Sequence, residues 1–250
     1  PDEDEKYFEM WKKIRMDWWV NTLGIPASRL RFTPHEKLAH YAKAAGDIEY
    51  EFPDGFDEVE GIHNRQDFDL GSHTKGQSEF NIHANVMENR DSTTKLAYSD
   101  PQTGESFIPY VIETAMGVNR AMFAVMLDAY TDEQLPDGKS RIVLKLKPAL
   151  APVKAAVIPL ARNVPELVDI ANNIENDLRK LNIGRIELEN SGNIGKNYRR
   201  HDEIGTPVCI TVDHQTMEDN TVTLRHRDTM DQERVAITDV PRRVMEIINA

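Results

Sequence analysis

The chain has 250 residues, 30 basic and 42 acidic side chains, a formal net charge of −12 and 40% apolar residues. At roughly 150 residues per domain this allows one large or two small domains with a real core, and it excludes collagen-like, mucin-like and wholly disordered chains. No apolar run approaches the roughly 18 residues of a membrane helix, and the single cysteine, Cys209, excludes an intramolecular disulfide and fits a reducing cytosol.

The acid excess is uneven. Residues 1–140 carry 14 basic and 26 acidic side chains, and residues 141–250 carry 16 of each. That asymmetry argues for two domains with different surfaces. Net acidity argues against non-specific nucleic-acid binding, which relies on Lys and Arg meeting phosphates, but it permits a local basic site. The eight histidines and the cysteine show no zinc-ligand spacing. The chain begins Pro-Asp-Glu-Asp-Glu without a signal or transit pattern, and reads as a piece of a longer protein or one from which something was removed.

In chain order, residues 4–23 read as an amphipathic helix. Phe8, Trp11, Ile14 (or Arg15), Trp18 and Leu23 recur at helical spacing, and Gly24 and Pro26 stop it. A second helix is expected over 34–45, with Pro34 in its first turn and Gly46 beyond its end. Then the period becomes two. Ile48, Tyr50 and Phe52 mark a half-buried strand, Asp54-Gly55 a hairpin turn, and 56–62 the return strand. Residues 63–77 read as a polar loop with a short helix. Residues 81–88 and 95–99 read as weak strands, 107–113 as a clear strand and 118–130 as a helix. This is an antiparallel α+β pattern. A polar stretch over 131–147, with Pro136, Asp137 and Gly138, reads as a junction, so that the domains are 1–147 and 148–250. Beyond it come a doubly buried strand at 153–160, a helix at 165–181, a strand at 185–188, and a loop or short helix at 194–204. A strand at 208–212, a hairpin of 222–227 with 234–237 and a last helix at 240–249 complete an α/β domain.

Three stretches could carry chemistry. In 55–62, Glu58 and Glu60 are expected on one face of a strand, either as a solvated surface or as a site for a cation or amine. In 109–120 an apolar strand ends at Glu113, a turn with Gly117 follows, and Arg120 opens an apolar helix. A cation at a helix N-terminus is unfavourable by a few tenths of a kcal/mol, which makes sense if Arg120 projects toward a phosphate. A surface arginine is the bland alternative. In 192–201, glycine, Lys196, Tyr198, Arg199 and Arg200 suit a nucleic-acid contact, as do Arg225 and Arg227 on one face of a strand. Here the alternative is a solvated basic face. There is no Walker spacing, nucleophile elbow, Rossmann fingerprint or metalloprotease helix.

Together these stretches resemble glycyl-tRNA synthetases of the dimeric, class II type. The resemblance runs through Leu38-Ala39-His40-Tyr41-Ala42, Gly55 to Ile62, Asn64-Arg65, Asp67 to Leu70, and Pro109 to Arg120, which is like the third class II signature. It continues through Leu150 to Val157, Ile194-Gly195-Lys196, Tyr198-Arg199-Arg200, Gly205-Thr206-Pro207 and Arg227-Asp228-Thr229-Met230. It implies part of a class II antiparallel catalytic core followed by an α/β anticodon-binding domain. It also implies activation of glycine by ATP to glycyl-adenylate and transfer to tRNA(Gly), with Mg2+ accompanying ATP and no zinc. The whole enzyme would be a homodimer, cytoplasmic and off the membrane.

By likeness, Glu58, Val59, Gly117, Val118, Asn119 and Arg120 would meet ATP. Glu58 and Glu113 to Gly117 (Glu113, Thr114, Ala115, Met116, Gly117) would meet glycine, with Arg120 and Glu113 the catalytic pair. Lys196, Arg199, Arg200, Arg225 and Arg227 would meet tRNA. Glycine offers no side chain to grip, so its ammonium must be held by carboxylates and larger substrates kept out by bulk. There are two departures. Ala115 stands where the family usually has serine, and the first two class II signatures are missing. The resemblance therefore implies the C-terminal portion of such an enzyme, nearly inactive alone, since a lost charge-stabilising donor costs about 10²–10³ in rate. The other readings are a non-catalytic, synthetase-like accessory subunit and a tRNA-binding module. The trio Glu58, Glu113 and Arg120 speaks against both.

Overall fold

The computed structural model describes residues 3–136 and 138–249. Asp137 of the expected polar junction, and the first two residues, lie outside the described residues. The chain forms two compact units, Pro1–Ala124 and Val125–Ala250.

The first unit opens with α1 (Asp4–Asn21), then β1 (Leu30–Pro34), β2 (Ala44–Phe52), β3 (Gly55–Gln66) and α2 (Phe68–His73). A small ribbon of β4 (Tyr98–Ser99) with β5 (Ser106–Phe107) follows, then β6 (Val111–Met116) and α3 (Val118–Ala129), within which the division between the units falls. Strands β1-β2-β3-β6 form one antiparallel sheet in that order. The α+β antiparallel reading is borne out here.

Several elements differ from the sequence expectation. No helix occupies 34–45. Pro34 instead ends β1, and a turn closed by Ala42 N–H to the Ala39 carbonyl leads into β2. Gly46 is not a helix stop. It sits within β2 against β1, where a Cβ would lie 2.5 Å from the Phe32 ring and 2.8 Å from the Thr33 carbonyl. Residues 81–88 form no strand, only turns and a single bridge from His83 to Phe107. The expected strand 107–113 is broken around Pro109, whose missing N–H cannot join a ladder, so β5 stops at Phe107 and β6 starts at Val111.

The buried face of α1 also differs. Asp4, Phe8 and Trp19 are buried, while Trp11 and Ile14 of the expected stripe are 37% and 43% exposed. Buried polar pairs choose that face. Glu60, only 1% exposed, accepts from Arg15 at 2.5 and 3.1 Å and from the Trp19 indole at 2.7 Å. Asp4 accepts from Asn64 at 2.7 Å and from Lys43 at 2.9 Å, and although burial opposes ionisation, these bonds hold its carboxyl below the usual range.

The second unit holds a hairpin of β7 (Tyr130–Gln134) and β8 (Ser140–Leu144), then β9 (Val153–Pro159), α4 (Pro165–Arg179), β10 (Arg185–Leu188) and α5 (Ile194–Glu203). It continues with β11 (Val208–Val212), the short α6 (Thr216–Asp219), β12 (Thr221–His226), β13 (Gln232–Ala236) and α7 (Val240–Ile248). The sheet order is β10-β9-β11-β12-β13, with β9 parallel to both neighbours and the rest antiparallel. Alternation along β9 serves two cores. Ala155 and Val157 meet Leu167, Ala171 and Ile174 of α4 and Val240 and Val244 of α7. Ala156 and Ile158 join Cys209 beneath Ile194 and Tyr198 of α5. Burial on both faces is what the continuous apolar run at 153–160 requires.

The polar stretch after Tyr130 is thus a hairpin. Arg141 on β8 is buried, bonded to Glu133 across the hairpin, to Asp202 on α5 and to the carbonyls of Arg227 and Asp228. These bonds place the hairpin with the second unit, and the division between units falls at Ala124/Val125, ahead of the 147/148 junction expected from the sequence. Among the described residues no helix is long and apolar enough to cross a membrane.

Cys209 is 2% exposed, and burial pushes its thiol up to about 12. A thiol-specific reagent at pH 8 is expected to leave it unmodified in the folded protein and to titrate one thiol per chain in denaturant. Stoichiometric reaction in the native state would show that α5 lifts from the sheet.

Candidate functional site

The two faces of the first sheet differ in kind. Register puts Ile48, Glu60, Ile62 and Asn64, with Thr114 and Met116, on the face that α1 covers. Asp47, Gly61 and His63, with Glu113 and Ala115, lie on the opposite face. Glu58 joins this second group because β3 carries a bulge. Ile48 pairs with Glu60 and Glu49 with Glu58, so Val59 is the extra residue. A bulge re-aims the side chains beside it. Glu58 and Glu60, expected on one face, therefore part. Glu60 serves α1, and Glu58 is exposed on the side of Asp47 and Glu113.

A second bulge makes Arg65 the extra residue between the pairs Asn64–Ile112 and Gln66–Val111, with Gln66 at φ 49°. Arg65 donates to Glu113 at 2.6 Å and to both oxygens of Asp69 at 2.5 and 3.0 Å, and it lies 4.0 Å from the centre of the Tyr41 ring. The Arg65 guanidinium holds the Asp69 carboxyl below the usual range, and the two carboxylates raise the arginine in return. Arg65 thus fixes the orientation of Glu113. It belongs to the site, where the sequence reading marked it only as one of a dense group of polar residues, with Asp67, Asp69 and His73, beside a strand end. Its legible signal was that concentration of polar residues, although the bond to Asp69 crosses from the strand end to α2.

Arg120, in the first turn of α3, is the hinge of the arrangement. It donates to the Glu58 carbonyl at 2.7 Å and to the Asp57 carboxylate at 2.5 Å, and its side chain remains 46% exposed. Two segments far apart in sequence, 57–59 and 117–120, are thereby brought together. Gly117 precedes α3 and its carbonyl accepts from Ala121. Val118 and Asn119 are exposed. Val59 is buried in the core, and Thr114 and Met116 point to the α1 face, so these three can reach the Glu113 face only through backbone atoms. Ala115, exposed beside Glu113 on that face, presents a methyl group and no donor. Among the described residues no group of three or more His, Cys, Asp and Glu is gathered that would hold a metal.

The basic residues of the second unit divide sharply. Arg225, 4% exposed, is clamped to Asp202 at 2.8 and 2.9 Å beneath the Tyr198 ring. Arg227, 3% exposed, donates to the carbonyls of Gly205 and Leu146 and to Asp228. Both guanidiniums are consumed inside the fold, and neither is at the surface where the sequence reading placed it. Arg199 and Arg200 are 40% and 58% exposed, paired with Asp202 and Glu189. Lys196 is exposed in the first turn of α5, behind the Asn193 cap that accepts its backbone N–H.

The family described as the anticodon binding domain matches residues 154–247, most of the second unit. Over 96% of this chain, the glycine–tRNA ligase of Thermus thermophilus is 49% identical, covering 49% of that protein. That of Deinococcus radiodurans is 50% identical, covering 50% of its length, and that of Borreliella burgdorferi 48%, covering 51%. The chain spans about half the length of the curated relatives it matches. An identity this high along nearly every element described above, with the anticodon domain in its expected place, means that the chain belongs to the glycine–tRNA ligase family.

Proposed function

We propose that this chain carries part of the active site and the tRNA-reading domain of a glycine–tRNA ligase. Glycine is activated by ATP to glycyl-adenylate and then passed to tRNA(Gly). The observation that carries this is the convergence made by Arg120. It ties the Glu58 segment to the start of α3 while keeping an exposed guanidinium, seven residues beyond Glu113 in sequence. An anion at that point meets a fixed cation and a helix N-terminus. On the sheet face of Asp47 and Gly61, Glu58 and Glu113 supply negative charge for an ammonium.

In this reading Arg120 holds the ATP phosphates, and Gly117, Val118 and Asn119 border the nucleotide together with the backbone at Glu58 and Val59. Glu113, steadied by Arg65, receives the ammonium of glycine, with Ala115 beside it and the backbone of Thr114 to Gly117 lining the approach. The chemistry is positioning and charge neutralisation, with no covalent step on the protein. Lys196, Arg199 and Arg200 on α5 are the tRNA contacts retained. A homodimeric, cytoplasmic enzyme belongs to the same proposal.

Glycine-dependent exchange of pyrophosphate into ATP tests it, measured on the native protein from its source and on the 250 residues alone. Exchange that requires glycine supports the proposal. Binding of tRNA(Gly) by the native protein without any exchange overturns it in favour of a tRNA-binding module.

A further inference from the structure

The face that holds Glu113 has a floor, and that floor is a histidine. Gly61 on β3 pairs with Asp47 on one side and with Ala115 on the other, and His63, two residues on, pairs with Glu113. Gly61 is buried and is not among the residues with positive φ, so its backbone does not demand glycine. The demand comes from its neighbour. A Cβ on Gly61 would lie 2.8 Å from His63 Cε1, 3.5 Å from its Nδ1 and 3.6 Å from Asp47 Oδ1. The imidazole is thus folded back along the strand over the bare α-carbon, filling the place a side chain would take.

The ring is held there. His35 meets it edge-on with centroids 5.8 Å apart, and Tyr41 lies at 6.5 Å. His35 is itself fixed by its Nε2 on Asp47 Oδ2 at 2.7 Å. His63 Nδ1 is buried and has no hydrogen-bond partner in the protein, an arrangement that costs free energy unless something else meets that atom.

We propose that His63, laid flat over Gly61, is a specificity-determining residue of the amino-acid pocket. This rests on the glycine–tRNA ligase reading. An amino acid whose ammonium is held at Glu113 has its α-carbon over Ala115, Gly61 and the imidazole. A hydrogen fits against that floor and a methyl group meets the ring. Transfer energy discriminates poorly against one extra methylene, by about 10–200-fold, so a glycine enzyme needs a wall, and the folded imidazole is one.

The experiment compares glycine and alanine in pyrophosphate exchange by the native protein, its His63→Ala variant and its His63→Asn variant, each checked for folding by thermal denaturation. The expected result is that removing the ring raises the alanine-to-glycine ratio of kcat/KM by about tenfold or more. The asparagine variant keeps a polar group, and it decides the matter if the alanine variant does not fold. An equal fall for both amino acids, with the ratio unchanged, is what a merely structural histidine gives, and it overturns the inference while leaving the ligase reading intact. No glycine-dependent exchange by the unaltered protein overturns that reading and this inference with it.

Discussion

Replacing Arg120 with alanine is expected to lower glycine-dependent pyrophosphate exchange about 10²–10³-fold, the range for removing one charge-stabilising donor from a polar transition state. Its fold cost is expected to be small. The side chain is 46% exposed, and its ion pair with Asp57 joins two exposed groups, a class of contact worth about 0–1 kcal/mol. The two readouts therefore separate. Exchange should collapse while the thermal midpoint barely moves. Lysine at 120 should rescue only part of the loss, because a point charge cannot reproduce a planar fork that spans a carbonyl, a carboxylate and a phosphate. An unchanged exchange rate in the alanine variant would mean that the exposed guanidinium does not meet ATP, and the functional reading would lose its main support. The prediction does not depend on His63, so the two substitutions test different parts of the site.

Asp202→Ala is expected to cost the second unit about 3–5 kcal/mol, because it strips the partner from a buried charge. Asp202 and the guanidiniums of Arg225 and Arg141 are all nearly inaccessible, and Arg225 has both of its hydrogen bonds on this one carboxylate. Arg141 would keep Glu133 and two carbonyls. Arg225 would be left as an uncompensated cation under the Tyr198 ring. For a cooperative unit of this size the midpoint should fall on the order of 10–20 °C. Asp228→Ala is the control. Its carboxylate is half exposed and pairs with an arginine that keeps two carbonyl acceptors, so its effect should stay near 1 kcal/mol. A small loss on removing Asp202 would mean that water reaches Arg225, and its exclusion from the tRNA contacts would then have to be reconsidered.

From β9 onward most elements of the second unit were legible in the sequence, because they carry strong local signals. A continuous apolar run marks β9 and a long helical segment marks α4, while α5 was read as a loop or a short helix and is settled by the Asn193 cap. The first unit was less legible, for particular reasons. Pro34 and Gly46 look like helix punctuation, yet one closes a strand and the other lets two strands approach. In the second unit the hairpin of β7 and β8 was hidden because its charged residues pair across the turn and with Asp202, a partner some sixty residues away in sequence.

The antiparallel α+β pattern of the first half, the α/β pattern of the second, and the stretches that carry Glu58, Glu113 and Arg120 follow from the sequence alone, because periodicity and motif spacing are local properties. Which side chains share a face does not. One bulge at Val59 parts Glu58 from Glu60 and sends the second into the core. Another at Arg65 swings a guanidinium onto Glu113. Burial turned Arg225 and Arg227 from surface cations into internal ties. A one-residue change of register reverses every side chain after it, and a charge is free or spent according to what the fold brings beside it. Both are settled by contacts between residues far apart in the chain, and these exist only once the tertiary structure has formed.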